Sequence, residues 1–257
     1  MNESRPDPAT DTMTLNGTDP WAPLRGLTHA RVGQPRAGDT VAGGEVRAFQ
    51  LAHARARKAV TAPLRQDAMP LDGPVLTVHS EATDRAMFIR RPDLGRRLSA
   101  DSAAVLTRGS YDVVFVIADG LSSVAAERQA PPVLAACRAL LPGWRIAPVV
   151  VAHNARVALG DDIAHRLGAG CVVMMIGERP GLSVSDSLSL YMTWDPHPGR
   201  LDSERNCISN IHDQGGLSAG VAAAKLAWLL AGARRIGRSG IMLKDETPAD
   251  PAATLPP

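Results

Sequence analysis

From Pro74 onward the chain is an alternation of short apolar runs and longer helical stretches, and few architectures tolerate that pattern. The runs are Val75–Val78, Val113–Ile117, Ile146–Val151, Val172–Ile176 and Ile241–Leu243, and the helical stretches between them include Ser122–Leu141 and Leu159–Leu167. Strand, helix, strand in that order implies right-handed crossovers and a parallel sheet. Runs such as Val113-Val114-Phe115-Val116-Ile117 are continuously apolar, as strands are when helices cover both faces. The expected fold is therefore α/β, a doubly wound, mainly parallel Rossmann-like sheet, with a small helical N-terminal segment ahead of it. Pro131-Pro132 is expected to split the Ser122–Leu141 stretch, because proline lacks the helical N–H donor and clashes with the preceding turn. Ser218 is a natural N-cap for a last long helix that ends at Arg234 and Arg235, two cations at the negative end of the helix dipole.

The ends have a different texture. Residues 1–22 and 246–257 are rich in Pro, Asp and Thr and poor in core formers, and are expected to be disordered tails. Residues 23–73 form the helical N-terminal segment: a Gly-rich loop from Val32 to Gly44, then a helix over Glu45–Leu64. A narrow stripe of Val46, Phe49, Ala52, Ala56 and Val60 on that helix buries little by itself and needs a partner surface. Residues 74–245 carry the α/β domain. Across the 257 residues no apolar run is long enough to span a bilayer, and the start of the chain lacks an apolar signal segment, so a cytoplasmic location is expected. Nucleic acid is not an expected partner. The net charge is only +2, basic residues are spread rather than blocked, and aromatics make up 4% of the chain, too few for base stacking along a groove. Cys137, Cys171 and Cys207 are odd in number and far apart, which fits neither a disulfide framework nor a zinc site.

Open α/β sheets bind ligands beyond the carboxyl ends of their strands. Three loops there stand out: Ala118–Ser123, Ala152–Val157 and Gly177–Leu182. In the first, Asp119-Gly120 and Ser122-Ser123 read more readily as a tight turn and helix cap than as catalytic groups. In the third, Glu178 either projects into the crevice or pairs with its neighbour Arg179. Common enzyme motifs fail. No Gly-x-Gly-x-x-Gly follows a strand, and no phosphate-cradling Gly-x-x-x-x-Gly-Lys is present. Gly216-Leu217-Ser218-Ala219-Gly220 matches the Gly-x-Ser-x-Gly nucleophile pattern, but Asn210–Gly215 before it reads as loop rather than strand. His165 and Gly168 match part of the cobalt-ligating Asp-x-His-x-x-Gly pattern, with Ile163 where the aspartate belongs; His165 is expected on a helix surface. Cys207 alone reads equally as a small buried hydrophobe.

Four phrases together, Arg91–Arg96, Ala118–Ser122, Gly177–Leu182 and Arg205–Ile211, resemble the small (light) subunit of adenosylcobalamin-dependent ethanolamine ammonia-lyase. The likeness runs from about Val32 to Asp245 and includes Phe49–Arg55. It departs at Leu217-Ser218-Ala219-Gly220, where the family's last helix has a proline-rich start. The resemblance implies an accessory chain that covers adenosylcobalamin at the interface with a large catalytic subunit, in a higher hetero-oligomer, while that partner binds ethanolamine and deaminates it to acetaldehyde and ammonia. The cytoplasm, or a bacterial microcompartment within it, is the implied setting. Residue by residue, the family's cofactor contacts fall on Val157, Glu178 and Cys207. Neither a catalytic residue nor a metal ligand is expected in this chain, since the cofactor keeps its own benzimidazole on cobalt. Two other readings compete: a stand-alone α/β hydrolase using Asp119, Ser122 and His153, and a non-catalytic assembly module.

Overall fold

A computed structural model describes residues 19–28 and 30–247. The tails expected at 1–22 and 246–257 lie largely outside the described residues. The fold is α/β. Its central feature is a six-stranded mixed sheet built from β3 (Val75–His79), β4 (Val114–Ala118), β5 (Val149–His153), β6 (Cys171–Gly177), β7 (Leu188–Trp194) and β8 (Arg205–Ile211), in the order β3-β5-β4-β6-β7-β8. Pairings among β3, β5, β4 and β6 are parallel, and those of β6 with β7 and β7 with β8 are antiparallel.

The chain forms two compact units, one up to Arg55 and one from Ala56. The first holds a short helix α1 (Ala22–Leu27), a two-residue hairpin of β1 (Arg36–Ala37) and β2 (Thr40–Val41), and the start of α2 (Gly43–Thr61). Here the expected loop contains the hairpin, and the expected helix is displaced by a turn at most. Arg25 Nη1 donates to the Gly33 carbonyl at 2.8 Å, and Gln34 Nε2 to Glu45 Oε2 at 2.9 Å, tying the segment that leads into the hairpin to both helices. On α2, Val46, Phe49 and Leu51 remain 40–53% exposed.

In the second unit the side chains of each buried strand alternate strictly between two cores, as period-two geometry demands. Val113, Phe115 and Ile117 of the β4 run join Cys171, Val173 and Met175 of β6 on one face; Val114 and Val116 join Val172, Met174 and Ile176 on the other. The first face is covered by α5 (Ser123–Ala139) and α7 (Ala219–Ile236), through residues such as Ala126, Val133, Leu226 and Leu230. The second is covered by α6 (Leu159–Leu167), through Leu159, Ile163 and Leu167. Two shorter helices, α3 (Arg85–Arg90) and α4 (Ala100–Ala104), follow β3. Ser218 caps α7 as expected, accepting from the Val221 N–H at 3.3 Å, and Gly237 ends it with a left-handed φ of 68°.

Three expectations are corrected. Pro131 and Pro132 sit inside one continuous α5 rather than dividing it. An interior proline costs about 3 kcal/mol of helix propensity, and the helix persists because Ala126, Ala130, Val133, Leu134 and Cys137 are buried against sheet and α7. Ile241–Leu243 is not a strand: Gly240–Met242 is a single 3₁₀ turn, held in place by the Asn206 side-chain amide, which donates to the Leu243 carbonyl at 2.8 Å. Lastly β7 and β8 were not anticipated, and the segment through Asn210 and Ile211, read as loop, is the end of β8.

Candidate functional site

The path of the chain through the sheet places the site. From β4 it crosses by α5 to β5 on one side, then by α6 to β6 on the other, so the loops leaving the neighbouring strands β4 and β5 diverge over opposite faces. Such a reversal opens a crevice at the carboxyl edge. A cleft of about 170 Å³ lies there, lined by Gly120 and Leu121 after β4, Arg156 and Val157 after β5, and Glu178 and Arg179 after β6. Ser189 and Tyr191 of antiparallel β7 complete the wall. All three loops singled out from the sequence therefore converge on one cleft.

Two glycines bring its walls together. Gly120 has φ of +51°, and a Cβ there would stand 2.3 Å from the Gly177 carbonyl oxygen; a Cβ on Gly177 would stand 2.0 Å from the Ser122 carbonyl. Only glycine permits backbones to approach this closely. The Leu121 N–H donates to the Gly177 carbonyl at 3.0 Å, a direct tie between the β4 and β6 ends.

Glu178, the first residue past β6, is fixed through one oxygen. Its Oε1 accepts from Ser189 Oγ at 2.5 Å and from the Asn210 backbone N–H at 2.9 Å. Asn210 offers that N–H from a left-handed conformation, φ 64°, at the end of β8. Oε2 is left as an acceptor on a partly buried carboxylate at the cleft. The contact with Arg179 weighed from the sequence is not formed. Val157 is partly buried in the adjoining wall. Cys207 is exposed on β8, directly across from Tyr191 of β7. Thus Val157 and Glu178 line the cleft, and Cys207 borders it through Tyr191. Desolvation raises the Cys207 thiol above its ordinary pKa, against the opposing influence of Tyr191 and Ser189, so it stays protonated at neutral pH. Burial likewise pushes the Tyr191 hydroxyl up to about 12. The β7 and β8 side of the cleft thus offers neutral polar groups beside the Glu178 carboxylate, while Arg156 and Arg179 add two cations to its lining.

The groups of the hydrolase alternative are committed elsewhere. Ser122 is fully buried; its Oγ donates to the Ser185 carbonyl at 2.8 Å and accepts the Ala125 N–H, capping α5. His153 stacks on His79 with ring centroids 4.7 Å apart. Asp119, 2% exposed, accepts the Asn154 and Ala155 N–H groups at 2.8 and 3.0 Å and pairs with Arg85 at 3.0 Å. Desolvation raises its pKa, opposed by Arg85 and those amides, and its role is to tie the loops after β3, β4 and β5. No nucleophile and base meet among these three. His165 is exposed on α6, as expected, and Ser218 is a cap.

Sequence reasoning missed Ser189, Tyr191, Asn210 and Arg156. The first two lie in Leu188-Ser-Leu-Tyr-Met-Thr-Trp, an apolar and polar alternation bounded by Asp195-Pro196, which was a legible strand signal. A larger cleft of about 440 Å³, near Trp194, Arg200 and Arg238, lies at the other end of β7, where Arg200 already pairs with Asp195 and Glu204. Among the described residues no three His, Cys, Asp or Glu side chains are gathered to hold a metal ion, and no helix is long and apolar enough to cross a membrane.

The fold and site define an α/β protein with a candidate ligand cleft at its sheet edge, walled by Glu178, Arg156, Arg179, Ser189 and Tyr191 together with apolar Leu121 and Val157. Comparison with known proteins is specific. The family model for the ethanolamine ammonia-lyase light chain (EutC) matches residues 18–244. The ethanolamine ammonia-lyase small subunit of Rhodococcus erythropolis is 45% identical over 244 residues, covering 92% of this chain and 94% of that protein. The small subunits of Pseudomonas putida strain KT2440 and Ralstonia nicotianae are 44% and 42% identical, over 92% and 95% of this chain and 91% and 94% of theirs. The chain belongs to the ethanolamine ammonia-lyase light chain family, and is thereby a subunit of a lyase.

Proposed function

We propose that this chain covers and orients adenosylcobalamin against a large catalytic subunit, for the radical deamination of ethanolamine to acetaldehyde and ammonia. The observation that carries the reading is the convergence of Val157, Glu178 and Cys207 around a single sheet-edge cleft, although they come from three separate elements. We read the sheet as a doubly wound, Rossmann-like frame whose switch point is that cleft.

The residues fit the group. Cobalamin is a broad ring rimmed with neutral amides. Glu178 Oε2 is an acceptor for an amide N–H, held in place because Oε1 is anchored by Ser189 and Asn210. Val157 supplies apolar contact, and the protonated Cys207 and Tyr191 supply neutral polar contact without competing for cobalt. A cleft of about 170 Å³ takes one edge of such a ligand and leaves the rest to another chain. When bound, adenosylcobalamin supplies the carbon radical that abstracts hydrogen from ethanolamine; this chain contributes position and exclusion of water. The exposed Val46, Phe49 and Leu51 on α2 are a further apolar surface for a partner. The setting is the cytoplasm or a microcompartment within it.

The deciding assay is ammonia release from ethanolamine with adenosylcobalamin, using this chain, its large-subunit partner, and the two co-expressed. Turnover only in the co-expressed complex is the expected result. Turnover by this chain alone, or none from a stable complex, overturns the proposal.

A further inference from the structure

The same cleft has a second chemistry that amide recognition does not use. Arg156 forms part of its wall; its guanidinium lies over the Phe88 ring at 4.4 Å, and its Nε is buried with no hydrogen-bond partner. Arg179 stands on the rim next to Glu178, and Arg96 and Arg85 are near enough that, after burial, these cations depress the Arg156 pKa. Arg85 also lies over the Phe88 ring, at 4.8 Å; its Nη1 pairs with Asp119 at 3.0 Å, and its Nη2 is buried without a hydrogen bond. The carboxylate that offsets this charge is Asp119, already occupied by Arg85 and two backbone amides. Arg96, Arg156 and Arg179 form no ion pair among the described residues, and of these Arg156 has a buried Nε without a hydrogen-bond partner.

Like charges held together around a partly buried cleft repel, and the arrangement persists because something of opposite charge relieves it. Arginine's forked donors match phosphate oxygens in particular. We infer that this cleft is also an anion site, in which Arg156 and Arg179 hold a phosphate group of the bound ligand. The inference rests on the cobalamin reading above. The anionic group of adenosylcobalamin is the single phosphodiester of its nucleotide loop, so the arginines and Glu178 take different edges of one molecule and thereby set its orientation.

The test is equilibrium binding, followed by absorbance, of three corrinoids to the assembled two-subunit complex: adenosylcobalamin, adenosylcobinamide phosphate and adenosylcobinamide. The last two differ in the phosphate. The complex is expected to prefer the phosphate-bearing form by about 10- to 100-fold, the range of a charge-assisted hydrogen bond. Arg156→Gln with Arg179→Gln is expected to erase that preference while adenosylcobinamide still binds. Arg179→Gln alone, on the exposed rim, should reduce it partially with the fold intact. Equal affinity of the unsubstituted complex for both cobinamides overturns the inference, as does a preference that survives the double substitution. Loss of subunit association with an unchanged preference also overturns it, and assigns the arginines to an acidic surface of the large subunit. Failure of all three corrinoids to bind is the different result that removes the cobalamin reading itself.

Discussion

The ion pair between Asp161 and Arg205 offers the sharpest test of how the two halves of the sheet are locked. Asp161 lies in the first turn of α6 and Arg205 opens β8; their side chains are 1% and 2% exposed. The geometry is bidentate, Nη1 to Oδ1 at 2.7 Å and Nη2 to Oδ2 at 2.6 Å. Arg205 also donates to Thr193 Oγ1 on β7 and to the Arg200 carbonyl, so one guanidinium ties α6, β7 and β8 together. Burial pushes the Asp161 carboxyl up, and the guanidinium is what holds it ionised. Asp161→Ala leaves a buried cation whose remaining carboxylate, Asp202, is 80% exposed and 3.3 Å away. Stranding one partner of a buried pair costs about 3–5 kcal/mol, which for a unit of this size lowers Tm by roughly 6–20 °C. Asp161→Leu with Arg205→Met removes both charges and should recover most of that loss, because the desolvation cost disappears with the attraction. The measurement is denaturant unfolding followed by far-UV circular dichroism, completed as a double-mutant cycle. If Asp161→Ala changes the unfolding free energy by less than about 1 kcal/mol, the pair behaves like an exposed one and the reasoning fails.

Two further predictions bear on the cleft and its surroundings. Glu178→Gln keeps an oxygen to accept from Ser189 and Asn210 but replaces the free acceptor with a donor, so cofactor affinity of the complex should fall about 10-fold with Tm unchanged; equal affinity in a titration removes Glu178 from the site. Burial, then the neighbouring His79, lowers the His153 pKa in the folded chain, so its contribution to stability is present above the unfolded value of about 6.5 and is lost as pH falls through that value toward the folded one. Unfolding midpoints at pH 7.5 and 5.5 should therefore differ less in His153→Asn than in the parent, and an identical difference contradicts the assignment.

How far the molecule can be read from its sequence depends on where each residue gets its instruction. The parallel strands were legible because Val113–Ile117 and Val172–Ile176 are apolar at every position, a property of strands sandwiched between two cores. The reading of β8 failed for the opposite reason. Arg205-Asn-Cys-Ile-Ser-Asn-Ile is an edge strand, with Cys207, Ser209 and Asn210 exposed, and its polar composition is that of a loop. Ile241–Leu243 misled in reverse: three apolar residues resemble a strand, but the Asn206 side chain captures the Gly240 N–H and the Leu243 carbonyl and turns the chain. The same division runs through the site. Val157 and Glu178 lie in loops that the strand pattern singles out, whereas the expectation that they and Cys207 contact a cofactor comes from the family resemblance alone. The anchors of Glu178 are 11 and 32 residues away along the chain, so no local pattern announces them. The polar edge strand β8 also borders the cleft, through Tyr191 of β7. Cys207 and Ser209 stand exposed on β8, and Oε2 of Glu178 accepts no hydrogen bond from the described residues, so a ligand or second subunit meeting them must displace water and match the hydrogen bonds that water makes.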